Sequence, residues 1–346
     1  MNVNELMALI RTEMTGDPQK DIRHLQDMAQ DLRMEENAHE LLSAIADYAF
    51  NLMPEDAKES MKETTFVDGR RMDRVFGEVK TLVNDGKMEE AGEKLRMISD
   101  KIAEHFEDKD PKWFSFRNPF EYHMYRFLYP EDTVFERAPF DFAHYLALYS
   151  YVLVELGQVP AAETAVRRAI KFNPVAADIR FELAEICKFA HNQEQLLRVN
   201  QETLPLCTDG ASIARVLANM GFYCYVAQEF PDAANFYFES LRFEKSQAVD
   251  LELQDVLRRM KTFGIKYAPP TRGQIIDTYD KYGLPVPPND GLVSLALTLA
   301  DNARGYGRLD LESHFLYTAY AMTNSEEIYA RLERVADEMQ AERKNK

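Results

Sequence analysis

The chain has 346 residues, 46% of them hydrophobic, so it can bury a sizeable core and is not a disordered chain. Its formal net charge of −17 repels nucleic-acid phosphates, and no basic stripe interrupts that charge, so we expect no nucleic-acid partner. Only 14 glycines and 15 prolines interrupt long runs of helix-forming residues, which predicts an all-α fold.

Residues 1–69 are predicted to form an N-terminal helical region. Asp17 is a candidate N-cap before Pro18, and Ile22 and Leu25 begin an apolar stripe with helical spacing. A second stripe starts at Leu41. Two short antiparallel helices are the simplest arrangement of these stripes.

The start of the chain and its cysteines predict a cytoplasmic location. The first residues lack the basic and apolar regions of a signal peptide, and the longest apolar run is too short to span a membrane. The chain has three cysteines, an odd number, and they are widely spaced: Cys187, Cys207 and Cys224. Such spacing is typical of buried thiols in a reducing compartment, so we expect neither disulfides nor a zinc site, and no membrane partner.

Residues 70–107 are predicted to form a helical hairpin, although the pattern is weaker here. Leu82 comes before Gly86, and Ala91 and Leu95 come after it.

Residues 108–140 form an aromatic and proline-rich junction. We favour the hypothesis that its rings fill the space between the N-terminal helices and the array that follows. The alternative is that they fold into a binding groove or supply part of a ligand pocket.

An internal repeat appears in residues 141–246. The segment from 219 to 241 places seven aromatic residues around Gly221 and Ala233, and it aligns with the segment 71 residues earlier. In that alignment Ser150 takes the place of Gly221, and Ala162 takes the place of Ala233. Small residues thus recur where two helices must approach closely, and large apolar residues recur between them.

These positions resemble the tetratricopeptide repeat (TPR), a helix–turn–helix unit of about 34 residues. The residues that match its turn glycine, its small and filler positions and its closing proline are Gly157, Ala162, Val166, Ala169 and Pro174. The resemblance implies an all-α superhelix, a solenoid of helical hairpins, in which the first helix of each unit lines a concave groove.

Residues 247–324 are predicted to form degenerate hairpins of the same kind, and residues 325–346 a C-terminal capping helix and tail. The first of these hairpins is long, with an elbow at Pro269 and Pro270. Asp290 is a candidate cap for the next helix, and Ser325 for the last one.

The resemblance also implies which residues face the groove: His144, Tyr151, Phe181, Glu185, Lys188, Arg215, Phe222 and Tyr225. Each has an alternative role. The rings could equally pack against a neighbouring loop, and the cations could form exposed ion pairs without a partner. Co-chaperones of the family hold a C-terminal carboxylate with Lys, Asn and Arg, but only part of that set, such as Lys188 and Asn219, is present here.

No catalytic or metal-binding pattern emerges from the sequence. The seven histidines are scattered without metal-ligand spacing, and no nucleophile elbow or phosphate-binding loop is present. Gly305 and Gly307 match a repeat turn better than a phosphate loop. We therefore predict no catalytic residues, no metal and no cofactor.

The sequence therefore favours a non-catalytic scaffold or adaptor that binds a peptide or protein segment in its groove. One alternative is a regulatory protein that senses a small ligand, and another is an enzyme with an unrecognised site. An exposed apolar groove would favour the first hypothesis, and a closed pocket with converging polar groups would favour the others. The identity of the partner and the oligomeric state are not predicted.

Overall fold

The computed structural model of the chain describes residues 1–32, 37–132 and 134–345. The chain divides into two compact units, Met1–Lys109 and Asp110–Lys346. Helices dominate both units, and the only sheets in the described ranges are two two-stranded pairs. The predicted all-α, TPR-like fold is confirmed.

The first unit contains six helices and one short antiparallel strand pair within its described residues. The helices are α1 (Val3–Glu13), α2 (Pro18–Asp31), α3 (Ala38–Leu52), α4 (Glu55–Thr65), α5 (Met72–Asn84) and α6 (Met88–His105), and the strands are β1 (Phe66–Val67) and β2 (Arg70–Arg71).

The prediction of two N-terminal helices was wrong in number. The expected pair, α2 and α3, is present, but α1 precedes it and α4 follows it. A capping box between Asn2 and Glu5 starts α1, and Leu6 and Ile10 bury its apolar face fully in a core with Leu25. The capping box joins two polar residues three positions apart, a signal that was visible in the sequence.

The second unit consists of an irregular entry segment followed by helical hairpins. Its elements are β3 (Lys112–Phe114), α7 (Pro119–Leu128), β4 (Phe135–Arg137), α8 (Phe142–Glu155), α9 (Val159–Phe172), α10 (Ala177–Phe189), α11 (Gln193–Thr203), α12 (Gly210–Val226), α13 (Phe230–Phe243), α14 (Gln247–Thr262), α15 (Arg272–Lys281), α16 (Asp290–Gly305), α17 (Leu309–Thr323) and α18 (Glu326–Asn345). Strands β3 and β4 pair in parallel, and residues 140–246 contain no strand.

The same turn closes the hairpins in this unit. After α8 the amide of Gly157 donates to Val154, and that of Gln158 donates to Leu153, with Gly157 in the left-handed region. This is the Schellman arrangement, which satisfies the last carbonyl groups of a helix. His191, Gln228, Gly264 and Gly307 hold the same left-handed position after α10, α12, α14 and α16.

Close helix pairing confirms the register of the predicted repeat. Ala162 and Ala233 are fully buried, and the Ser150 hydroxyl donates to the carbonyl of Ala162 at 2.8 Å. A Cβ atom placed on Gly221 would lie 2.6 Å from the ring of Tyr237. Glycine is therefore required where α12 and α13 meet.

The aromatic and proline-rich junction, residues 108–140, is called the aromatic segment below. It packs against the C-terminal hairpin, α16 and α17, a neighbour that the sequence did not predict. Phe120 and Tyr125 of this segment share a core with Leu292 of α16 and with Phe315 and Leu316 of α17. The parallel strand pair and α7 therefore share one hydrophobic core with α16–α18 within the second unit.

The predicted cap at Asp290 was wrong by one residue. The Asn289 side chain accepts hydrogen bonds from the amides of Gly291 and Leu292 at 3.0 and 3.3 Å, and Asp290 is the first helical residue. The side-chain amide of Asn289 also donates to the carbonyl of Pro205 at 2.9 Å, which an ionised aspartate could not do. Ser325 caps α18 as predicted, although weakly, at 3.5 Å.

Candidate interaction surface of the first helices

The candidate surface is formed by the first helices of three successive hairpins, α8, α10 and α12, and by the next helix, α14. Helix α10 contacts both α8 and α12. The hydroxyl of Tyr225 on α12 donates to Asp255 on α14 at 2.9 Å, which links the last two of these helices. We call the outward sides of these four helices the first-helix surface.

The structure places the predicted groove residues on this surface with different exposure. His144, Tyr151 and Arg215 are exposed, and four others are half-buried, namely Glu185, Lys188, Phe222 and Tyr225. Phe181 is only 9% exposed and belongs to the core that surrounds α12 and α13. The role of all eight in partner binding stays a prediction.

Glu185 joins the cations of α10 and α12. Its Oε1 atom accepts hydrogen bonds from Lys188 at 3.0 Å and from Arg215 at 3.1 Å. Lys188 also donates to the buried Asn219 at 2.5 Å, and Asn219 donates to Asn200 at 3.3 Å. Residues from three helices are thereby fixed relative to one another, and both cations have protein partners.

Three of the four predicted aromatic rings, those of Phe181, Phe222 and Tyr225, lie beneath a cation. Arg215 lies 5.5 Å from the centroid of the Phe181 ring, and Lys188 lies 5.4 Å from that of Phe222. Arg259 of α14 lies 5.0 Å from the ring of Tyr225. These distances are typical of cation–π contacts. These three rings are therefore covered by cations, and sequence reasoning missed Arg259.

A cavity of about 280 Å³ lies at the α8–α10 end of the surface. Its lining residues come from α8 and its N-cap, from α10 and from the segment before α7: Arg117, Asp141, His144, Ala147, Leu148, Tyr151, Asp178, Ile179 and Glu182. The predicted His144 and Tyr151 therefore lie in one cavity with three carboxylates. Sequence reasoning missed Asp141, because it caps a helix, and Glu182, because it looks like an ordinary solvated glutamate.

Burial raises the pKa values of two carboxyl groups in this cavity. The pKa of the Asp141 carboxyl is raised by burial, although its side chain accepts the backbone amide of His144 at 3.0 Å. The pKa of Glu182 is also raised, chiefly by burial and further by Glu185 and Asp178, against the opposing effect of Arg215. The ionised forms of both carboxyl groups are thus poorly compensated by their surroundings.

Arg117 is the cation of the cavity and is already paired. Its guanidinium donates to Asp178 at 2.6 Å and to Glu121 at 2.5 Å. These two carboxylates raise its pKa in spite of burial. Glu121 is buried and also accepts from the fully buried Asn173 at 2.8 Å, so Arg117 is held firmly in place.

The cysteines are unreactive in this environment. All three are buried, and burial raises the pKa of Cys187 to about 11 and that of Cys224 to about 12. Both thiols are therefore protonated at neutral pH. Within the described residues, no group of His, Cys, Asp or Glu side chains could hold a metal ion. No helix in the same part of the chain is both long and apolar enough to cross a membrane.

Comparisons with known proteins give only distant similarities. No protein-family model matches the chain, and no curated protein matches it. Among solved structures, the chain is similar to pilF of Pseudomonas aeruginosa at 15% identity, with 76% of this chain and 96% of that chain covered and a TM-score of 0.39. It is also similar to the APC/C hetero-tetramer Cut9–Hcn1 at 11% identity, with 97% and 67% covered and a TM-score of 0.23.

Proposed function

We propose that this protein is a non-catalytic scaffold that binds a peptide or protein segment along the first-helix surface. The row of cation–ring pairs from α10 to α14 is the observation that carries the proposal. Arg215 and Arg259 in this row expose about half of their side chains, 49% and 53%. Arginine and aromatic residues are enriched where proteins bind one another and dominate the binding energy there.

The row is held in place before any partner arrives. Lys188 and Arg215 share Glu185, and Arg259 is anchored by the ring and the carboxylate of its neighbours, Tyr225 and Asp255. A partner segment would therefore bind to side chains whose rotamers are already restricted, which reduces the entropy lost on binding. An extended or a helical segment could use such a surface.

The test is a selection of peptides followed by titration of variants. A library of random 12-residue peptides displayed on phage would be selected against the full chain, and recovered peptides would be titrated by fluorescence anisotropy. We expect the double variant Phe222→Ala and Tyr225→Ala to weaken their binding by about 2–4 kcal/mol, since both rings support the cations above them.

A matched control comes from the C-terminal hairpin. Tyr306 and Tyr317 expose 86% and 61% of their surface and lie outside α8, α10, α12 and α14. The double variant Tyr306→Ala and Tyr317→Ala should bind the peptides as the parent does, with both double variants showing the melting temperature of a folded chain. The proposal would be overturned if no peptide bound, or if bound peptides were indifferent to the loss of Phe222 and Tyr225.

The small-ligand alternative also has one supporting observation. A second cavity of about 560 Å³ adjoins the first and shares Arg117 and Asp141 with it. This volume lies in the range of small-molecule sites, whereas that of the first cavity lies at its lower limit. If a set of small polar compounds raised the melting temperature and no peptide bound the first-helix surface, ligand sensing would replace the scaffold proposal.

A further inference from the structure

The first-helix surface carries opposite charges at its two ends. At the α8–α10 end, the cavity is lined by three carboxylates, Asp141, Asp178 and Glu182, and by one guanidinium, that of Arg117. Towards the α12–α14 end, the ion pairs contain more cations than carboxylates. Lys188 of α10 and Arg215 of α12 share Glu185, and Arg258 and Arg259 of α14 share Asp255.

The acidic end is not neutralised by its own cation. Arg117 is bound on both sides, to Asp178 and to Glu121, so its charge is already balanced. Glu182 makes no hydrogen bond or ion pair with any residue that the structure describes, although it is half-buried beside α8, and the charge of Arg215 offsets its burial only in part. A half-buried carboxylate without a partner is costly, and a cation brought by a ligand would remove that cost.

The walls of the cavity suit one long cationic side chain. Ala147 and Leu148 provide an apolar wall, and the ring of Tyr151, 39% exposed, lines the same space. Lysine and arginine bury an aliphatic stem against apolar surface and place the charge beside carboxylates or over a ring. A cavity of about 280 Å³ has room for such a side chain and is small for a whole ligand.

We propose that the partner segment inserts a lysine or arginine side chain between α8 and α10 and places acidic side chains beside α12 and α14. This inference rests on the proposed function and adds the charge order of the partner. Packed helices lie about 8–10 Å apart, which about three extended residues can span. The acidic residues should therefore lie about three to six positions from the basic one.

Charge repulsion gives the surface its selectivity. A segment bound in the opposite direction would bring acidic side chains to Asp141 and Glu182 and basic ones to Arg215 and Arg259. Like charges in a half-buried site oppose binding, so the reversed orientation is disfavoured. The raised pKa values of Asp141 and Glu182 agree with this argument, since burial outweighs the groups that stabilise their ionised forms in the unbound chain.

The test couples one protein charge to one peptide charge. Peptides selected from the 12-residue library would be resynthesised with norleucine, an uncharged analogue of similar shape, in place of each lysine. We expect one such replacement to weaken binding to the parent chain about tenfold and to have little effect on binding to Glu182→Gln. Charge reversal should follow the same pattern, so that Glu182→Lys prefers the peptide with glutamate at that position.

Two controls separate this contact from an indirect effect. Asp141→Asn removes a charge from the same cavity and keeps an N-cap of equal quality, so α8 should stay folded. The coupling, which is the loss of affinity caused by the lysine replacement, should be smaller for this variant than for the parent. Glu194→Gln is the matched change outside the cavity, at a glutamate of α11 with 85% of its side chain exposed, and it should leave the coupling intact.

The outcomes distinguish the two proposals. Peptides that depend on Phe222 and Tyr225 but show no coupling to Glu182 would overturn the charge order and leave the scaffold function standing. Peptides that bind without depending on Phe222 and Tyr225, or an absence of binding peptides, would overturn both. A tenfold coupling that Glu194→Gln leaves unchanged would support both.

Discussion

At the scale of single residues, the contact between Gly221 and Tyr237 gives the sharpest prediction about stability. A Cβ atom on Gly221 would lie 2.6 Å from Cε1 of Tyr237, whose ring is 2% exposed and cannot move aside. Gly221→Ala should therefore lower the free energy of unfolding by about 1–3 kcal/mol, measured by urea denaturation. Gly273→Ala is the control, since no atom lies within 4 Å of a Cβ atom there, and it should be neutral or slightly stabilising. Equal effects of both changes would contradict this account.

Much of the candidate site could be predicted at this scale, because the helical period assigns side chains to faces. That period and the resemblance to the TPR indicated Glu185, Lys188 and Arg215, which the structure joins in one network. The period could not indicate that Arg259 would cover Tyr225, since that contact depends on a rotamer and on the packing of two helices. Nor could it indicate Arg117, which reaches the cavity from an irregular segment.

At the scale of secondary-structure elements, the turns between paired helices offer a second prediction. His191 and Gln228 adopt φ values of 54° and 63° at the position that Gly157 holds after α8. A side chain in this region costs about 1 kcal/mol, and glycine avoids that cost. His191→Gly and Gln228→Gly should each raise the free energy of unfolding by roughly 0.5–1 kcal/mol, and Gly157→Ala should lower it by a similar amount. Thermal melts of the three variants would check the signs, and a loss of stability in both glycine variants would refute the argument.

The hairpins were predictable because each has two apolar stripes separated by a turn residue. Gly86, Gly157 and Gly307 all occupy left-handed turn positions. The turns at His191 and Gln228 lack glycine, so only the spacing of the flanking helices indicated them. Helix starts were less certain, since neighbouring Asn289 and Asp290 are both good caps and the choice depends on the distant carbonyl of Pro205.

At the scale of the whole molecule, parts of the second unit differ in how much of their packing the sequence could reveal. Repeats that pack chiefly against their neighbours in the chain are visible as a period. Most contacts of the hairpins from α8 to α13 follow this rule, although α12 also contacts α17. The C-terminal hairpin does not follow it. Its residues pack with Phe120 and Tyr125, far away in the chain, and no local pattern encodes a contact of this kind.

This distant packing leads to the last prediction, a double-mutant cycle between α7 and α17. The rings of Phe120 and Phe315 have centroids 6.4 Å apart, and each residue is 3% exposed. Phe120→Leu and Phe315→Leu should each cost about 1 kcal/mol of unfolding free energy, and the double variant should cost less than their sum by about 0.5–1 kcal/mol. Phe236 lies in the separate core around α12 and α13, so Phe236→Leu should combine additively with Phe315→Leu. Additive costs in the first pair, measured by urea denaturation, would mean that the C-terminal hairpin does not pack on the aromatic segment in solution.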